Sequence, residues 1–318
     1  MRRMRKKNDN QLSIFDIELP SPKTVVEKPS ATSPANSPKI SPIINFARVP
    51  DEEYSNKPVY EHIPRVNELL KKLDQMIYKV SKWELLSDLF EMGAIAISNQ
   101  FDKIRANERE KKYLTLIKKY SKEDQETIVD MFADIYKLLT SQIYIGFGDY
   151  LGELYMSSGT SSDKSGQFFT PYCVSKLCAQ CAINPDIVKQ HMDNDEILTL
   201  HEPTCGSGGM VLAAVDVLYN QYNFNYSRNL VVECGDIDAR CVHMAYLQLS
   251  LAGVPAVIFH RDALTMETWT RWETPAYIMQ WLRFRNVFKG TTADTKANQG
   301  KQNEKRHKRT NTRGRASC

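Results

Sequence analysis

Glu202-Pro203-Thr204-Cys205-Gly206-Ser207-Gly208-Gly209 is the stretch whose reading decides the fold. It follows a short apolar run, Ile197-Leu198-Thr199-Leu200, and leads into Met210-Val211-Leu212-Ala213-Ala214-Val215-Asp216-Val217-Leu218, which reads as helix. Strand, acidic residue, glycine turn and helix in that order form the opening unit of a nucleotide-type α/β site. Glycine lets the backbone approach a ligand closely, and the start of a helix supplies free N–H groups. A glycine-rich turn alone is weak evidence, because many strand-to-helix turns contain glycine for geometry only. The surrounding sequence therefore carries the reading.

Three further segments fall in order around the turn. Gly166-Gln167-Phe168-Phe169-Thr170-Pro171 lies upstream; Gly235-Asp236-Ile237-Asp238 and His260-Arg261-Asp262-Ala263-Leu264 lie downstream. With these four motifs the chain resembles the N6-adenine DNA methyltransferases, in particular the methylation subunits of type I restriction-modification systems. The resemblance runs from about Tyr150 to about Asp262. It implies S-adenosylmethionine as cofactor, with Gln167, Phe168, Phe169, Thr170 and Pro171 over its methionine end. Glu202, Pro203, Cys205, Gly206, Ser207 and Gly208 would cradle its carboxypropyl and amino groups. It also implies DNA as substrate, with a specificity subunit or a completing chain as partner.

The acidic residues make chemical sense on their own. Asp236 ends a second apolar run, Leu230-Val231-Val232-Glu233-Cys234, where a carboxylate can accept from both ribose hydroxyls. Asp262 follows a third run, Ala256-Val257-Ile258-Phe259, and can accept from an adenine exocyclic amine. Glu202, at the end of the first strand, can pair with the amino group of a methionine. The alternative for each is a helix N-cap, favourable at the positive end of the helix dipole. Acids at successive strand ends favour the ligand reading.

Members of the resembled family carry an N/D/S-P-P-Y/F/W motif after the fourth strand. Its first side chain accepts from the target amine, and its aromatic ring stacks on the flipped base. The nearest match is Thr274-Pro275-Ala276-Tyr277, which makes Thr274, Pro275 and Tyr277 the candidate catalytic residues. It departs from the pattern at Thr274 and Ala276. The leading function is adenine-N6 methylation of DNA, with direct in-line transfer that needs positioning and no covalent intermediate. The alternatives are a non-catalytic accessory protein of a mobile element, binding cofactor, DNA or a sliding clamp, and a helical scaffold with a structural α/β remnant.

The expected fold class is α/β: a partial, Rossmann-like methyltransferase domain at 157–288 behind an all-helical domain at 56–156. The first 55 residues, rich in Pro, Ser, Lys and Arg with repeated Ser-Pro, read as a disordered arm. Within it Gln11-Leu12-Ser13-Ile14-Phe15 resembles the peptide that docks on bacterial sliding clamps, with Gln11 as polar anchor and Leu12, Ile14 and Phe15 filling an apolar cleft. Residues 289–318 read as a disordered basic tail, suited to salt-sensitive phosphate binding. The chain's +4 formal charge arises in these arms, and the body between them is net acidic.

In the helical segment Val66, Leu69, Leu70, Leu73, Met76, Ile77 and Val80 recur at helix spacing, as do Ile128, Val129, Phe132, Ile135, Tyr136 and Leu139. Ser81–Glu84 and Ser121–Asp124 read as capping boxes. Arg109, Lys111, Lys112, Lys118 and Lys119 alternate with acids and read as a solvated face. No apolar run approaches membrane-spanning length, and no signal peptide is evident, so a cytoplasmic protein is expected. Among the seven cysteines, Cys173, Cys178 and Cys181 match an iron–sulfur spacing superficially. Val174, Leu177, Cys178 and Cys181 also fit a buried apolar helix stripe, and that reading is preferred, with no metal expected. His201 and His243 read as packing residues.

Overall fold

The capping boxes start helices where the sequence places them. In the computed structural model, which describes residues 62–76, 81–159 and 168–282, Ser81 Oγ accepts from Glu84 N at 3.1 Å and Ser121 Oγ from Asp124 N at 3.2 Å. The helices are α1 (Val66–Met76), α2 (Lys82–Phe101), α3 (Ala106–Ile117), α4 (Lys122–Thr140), α5 (Gln142–Ile145) and α6 (Tyr150–Ser157). Val66, Leu69, Leu73 and Met76 of α1 are buried, as are Ile128, Phe132, Ile135 and Leu139 of α4. Ile77, Val80, the clamp-type peptide Gln11, Leu12, Ile14 and Phe15, Gln167 and the basic tail lie outside the described residues. Among the described residues no helix is long and apolar enough to cross a membrane.

The second part of the chain runs α7 (Tyr172–Ala182), α8 (Pro185–Asp193), β1 (Leu198–Glu202), α9 (Gly209–Tyr222), α10 (Tyr226–Asn229), β2 (Leu230–Asp236), α11 (Ala239–Leu251), β3 (Ala256–Arg261) and β4 (Thr268–Glu273). Residues 275–282 are again helical. The sheet order is β1-β2-β3-β4; β1, β2 and β3 are parallel, and β4 folds back antiparallel on β3. The three parallel strands are those expected from the apolar runs. The stretch after Asp262 has the length for one more strand and a helix, and β4 and residues 275–282 are these.

Alternation along each strand divides the sheet into two unlike faces. Leu230, Val232, Cys234, Ala256 and Ile258 are fully buried and share a core with α9 and α11. That core continues without a break into α1, α2 and α4. The opposite face carries His201, Glu233 and Arg261 side by side on three strands. Arg261 donates to Glu233 Oε1 at 3.0 Å and lies 3.1 Å from His201 Nε2. His201 is thus an exposed polar partner, not a packing residue.

The helices and the sheet are joined through β4. Trp272, buried at 5% exposure, stacks under the Arg109 guanidinium at 3.9 Å and meets the rings of His243 and Tyr246 at 5.1 and 5.2 Å. Arg109 also donates to the Arg271 carbonyl at 2.9 Å, which occupies a backbone acceptor on the sheet's outer edge. Its other partners are Asp102, at 3.1 Å, and Ser98. Arg109 is therefore an internal strut rather than part of a solvated basic face.

Burial pushes the His243 imidazole down to about 3, so it is neutral in the fold at neutral pH. The unfolded chain takes up this proton near its ordinary value of about 6.5. The stability this supplies is complete above that value and is lost as pH falls toward the folded value, by about 1.4 kcal/mol per pH unit. Urea midpoints measured between pH 7 and 4.5 should fall steeply in wild type and less steeply in His243→Gln. Equal slopes would show that another group carries the acid sensitivity.

The opposite edge is open. Among the described residues β1 pairs only with β2, and its residues alternate between half-buried and exposed. A groove of about 540 Å3 runs along it between α7, α8 and α9, lined by Ala179, Ile183, Val188, Leu200, Met210 and Leu218 among others. Beside it α7 turns Cys173, Val174, Leu177, Cys178 and Cys181 outward, with Leu177 59% exposed. The stripe expected to be buried is thus a surface: α7 packs on α9 through Ser175 and Ala179 instead.

Candidate functional site: the C-terminal edge of the parallel strands

The carboxyl ends of β1, β2 and β3 bring Glu202, Asp236 and Asp262 to one edge of the sheet, with the glycine turn between β1 and α9. Gly206 and Gly208 have φ of +54° and +94°, the left-handed region that glycine enters at no steric cost. At Gly208 a side chain would also meet the Ala245 backbone at 3.3 Å, so helix α11 approaches the turn closely. Unlike α2, α4, α6, α8 and α11, helix α9 starts without a side-chain cap, so its first N–H groups have no local carboxylate or hydroxyl acceptor from the N-cap.

Asp236 is tied into this turn. One oxygen accepts from Gly206 N at 2.9 Å and the other from Asp238 N at 2.9 Å. Burial raises its carboxyl above the ordinary range, opposed by those N–H donors. A carboxylate offers about four lone-pair sites, so Asp236 keeps acceptor capacity beyond its backbone N–H donors. Cys205 N donates to the Gly235 carbonyl at 2.8 Å, so turn and second strand are bonded backbone to backbone.

The other expected residues divide. Phe169 covers the turn: a side chain at Gly206 would meet its ring at 3.1 Å, and the ring packs 5.7 Å from that of Tyr155. Phe168 is 68% exposed, Thr170 and Pro171 are exposed, and Pro171 begins α7. Glu202 accepts from Thr204 N at 3.2 Å and is half-buried at the strand end, with Pro203 exposed beside it. Asp262 caps its own turn, accepting from Leu264 N at 2.8 Å and Thr265 N at 3.3 Å, and these donors lower its pKa. Cys205 and Ser207 are buried beneath the turn.

Thr274, Pro275 and Tyr277 are not part of this edge. Because β4 runs antiparallel, Glu273 pairs with Val257 at the start of β3, and Thr274 follows it at the amino end of the sheet. Five residue steps of β3 separate that end from Arg261, about 16 Å at 3.3 Å per residue. Thr274 is fully buried; its Oγ accepts from Ala256 N at 2.9 Å and donates to the Val254 carbonyl at 2.7 Å. It also accepts from Tyr277 N at 3.3 Å, the pattern of a helix N-cap. The antiparallel hairpin thus places the candidate catalytic residues at the end of the sheet opposite Glu202, Asp236 and Asp262, with Thr274 in a capping role.

Two residues of the site region escaped the sequence. Asp149, the N-cap of α6, accepts from Ser207 Oγ at 2.5 Å and from Gln248 Nε2 at 2.8 Å. Asp149-x-x-Gly152 could have been read as a cap, but its long-range partners left no local signal.

The family model described as N-6 DNA Methylase matches residues 146–314, more than half of the chain. No curated protein matches significantly. Among solved structures, the chain is similar to a protein from Listeria monocytogenes assigned to the class I S-adenosylmethionine-dependent methyltransferases, with 13% identity, a TM-score of 0.34, and coverage of 63% of this chain and 54% of that one. It is also similar to the methyltransferase subunit of a type I restriction-modification system from Streptococcus thermophilus, with 22% identity, a TM-score of 0.32, and coverage of 64% and 40%. The chain thus spans about half or less of the length of these structures, and at such scores they transfer no residue roles. The match over 146–314 places the chain in the N-6 DNA methylase family.

Proposed function

We propose that this chain binds S-adenosylmethionine at the carboxyl edge of β1–β3 and serves adenine-N6 methylation of DNA. The observation that supports this most is Asp236 bonded to Gly206 N, which sets an acceptor with spare lone pairs against a left-handed glycine turn at an uncapped helix start. The residues fit such a ligand. Glu202, Asp236 and Asp262 favour a net cation, and the α9 N–H groups favour its carboxylate. Asp236 would accept from the ribose hydroxyls, Glu202 from the amino group, and Phe169 would shield the methionine end. When bound, S-adenosylmethionine supplies an electrophilic methyl group on a sulfonium.

Calorimetry with S-adenosylmethionine tests this reading. Asp236→Ala should weaken binding by about 1.5–3 kcal/mol, the worth of hydrogen bonds to a charged group. Absence of any heat or thermal shift in wild type at millimolar cofactor would refute the reading.

A second reading, cofactor binding without methyl transfer by this chain alone, is favoured by the placement of Thr274 at the far end of β3. In that reading a further strand on the open β1 edge, brought by a completing chain, would present the target base. Misplacement of about 1 Å can cost around a hundredfold in rate, so an incomplete base site would be nearly silent. Labelled methyl transfer to DNA separates the two. Robust N6-methyladenine from the purified chain would sink the second reading, and activity that appears only with a second subunit would support it.

A further inference from the structure

Beneath the glycine turn lies a carboxylate that the ligand reading does not use. Asp149 Oδ1 accepts from Gly152 N at 3.0 Å and Gln248 Nε2 at 2.8 Å, while Oδ2 accepts from Ser207 Oγ at 2.5 Å. Gln248, fully buried, also donates to the Ser207 carbonyl at 2.8 Å and accepts from Leu151 N at 3.2 Å. One side-chain pair therefore holds the start of α6, the glycine turn and α11 together.

Space is kept for this carboxylate. A side chain at Gly209 would come within 2.7 Å of Asp149 Oδ2, and one at Gly152 would overlap the carboxylate. Gly209 is thus small to admit Asp149, not to admit a ligand. A helix cap needs only the bond to Gly152 N; the bonds to Ser207 and Gln248 exceed that requirement. The arrangement is also costly, since every donor is neutral and burial raises the carboxyl above its ordinary range.

We infer that Asp149, acting through Ser207 and Gln248, is a positioning residue that locks the glycine turn in its ligand-ready shape. The role of the turn as cofactor site rests on the reading above; the lock itself does not. Ser207, expected from the resemblance to face the cofactor, serves it from behind.

Hydrogen–deuterium exchange at residues 206–212, together with calorimetry using S-adenosylhomocysteine, tests the lock. Asp149→Ala should raise exchange in that segment by about tenfold beyond any rise elsewhere and weaken S-adenosylhomocysteine by about tenfold. Asp149→Asn, which keeps the shape and one oxygen for the bonds from Gly152 and Gln248 while its amide N–H can donate to the Ser207 hydroxyl, should stay within about threefold of wild type on both measures. Ser121→Ala, which removes the α4 cap far from the turn, should lower the melting temperature and change neither. The inference is overturned if Asp149→Ala loosens the turn no more than Ser121→Ala does, or leaves affinity unchanged. Should Asp149→Ala fail to fold, Ser207→Ala reads the same lock by the same criteria. Failure of wild type to bind S-adenosylhomocysteine would count against the cofactor reading alone, and exchange would still decide the lock.

Discussion

Thr274→Val should lower folding stability by about 2–5 kcal/mol and leave cofactor affinity within about twofold. The Thr274 hydroxyl serves the Ala256 N–H and the Val254 carbonyl, both at the buried start of β3, and caps the helix at Tyr277 N. Valine keeps the shape and removes all three bonds. Each buried group left unsatisfied costs about 1–3 kcal/mol. The site lies about 16 Å away along β3, beyond the range over which substitutions usually couple. Urea unfolding and calorimetry on the same protein check both halves. A variant as stable as wild type that loses methyl transfer would return Thr274 to a catalytic role.

Trp272→Ala should cost about 3–5 kcal/mol, the range for removing a large buried aromatic. The loss goes beyond a cavity, because the ring contacts the Arg109 guanidinium, His243 and Tyr246 at once. Arg109 keeps Asp102 but loses the ring that covers its face, an interaction worth about 0.5–2 kcal/mol. Exchange should rise first in α3, α11 and β4, the elements this ring joins. A loss below about 1 kcal/mol would mean that the helices and sheet are held together elsewhere.

Much of the site was legible because its signals are local. A five-residue strand, a carboxylate, a glycine turn and an amphipathic helix are contiguous, and glycine marks positive φ at Gly206 and Gly208 whatever the tertiary context. The ends of β2 and β3 were readable for the same reason: an apolar run that stops at an acid. Ser81 and Ser121 announced α2 and α4 through capping bonds that span three residues.

Readings failed where a side chain's partner is distant in sequence. Arg109 looks like one of a solvated group until β4 brings Trp272 and the Arg271 carbonyl to it across 162 positions. Cys178 and Leu177 fit a buried stripe by spacing, but which face of α7 meets α9 is set by Ser175 and Ala179, whose small size permits close approach. Direction was the least legible feature: Thr274 follows the motifs in sequence, yet the antiparallel turn after Asp262 carries it to the opposite end of the sheet.

The sequence by itself determined the parallel β1–β2–β3 unit, its glycine turn and the acids at its carboxyl edge, because helix, strand and turn preferences act over a few residues. Only the tertiary structure decided which of those residues face outward. Asp236 and Phe169 stay at the turn's outer side, Ser207 and Cys205 go beneath it, and Thr274 becomes a cap. The physical reason is that burial and hydrogen-bond pairing are settled between elements far apart in the chain, where each buried polar group takes the partner that packing brings within reach.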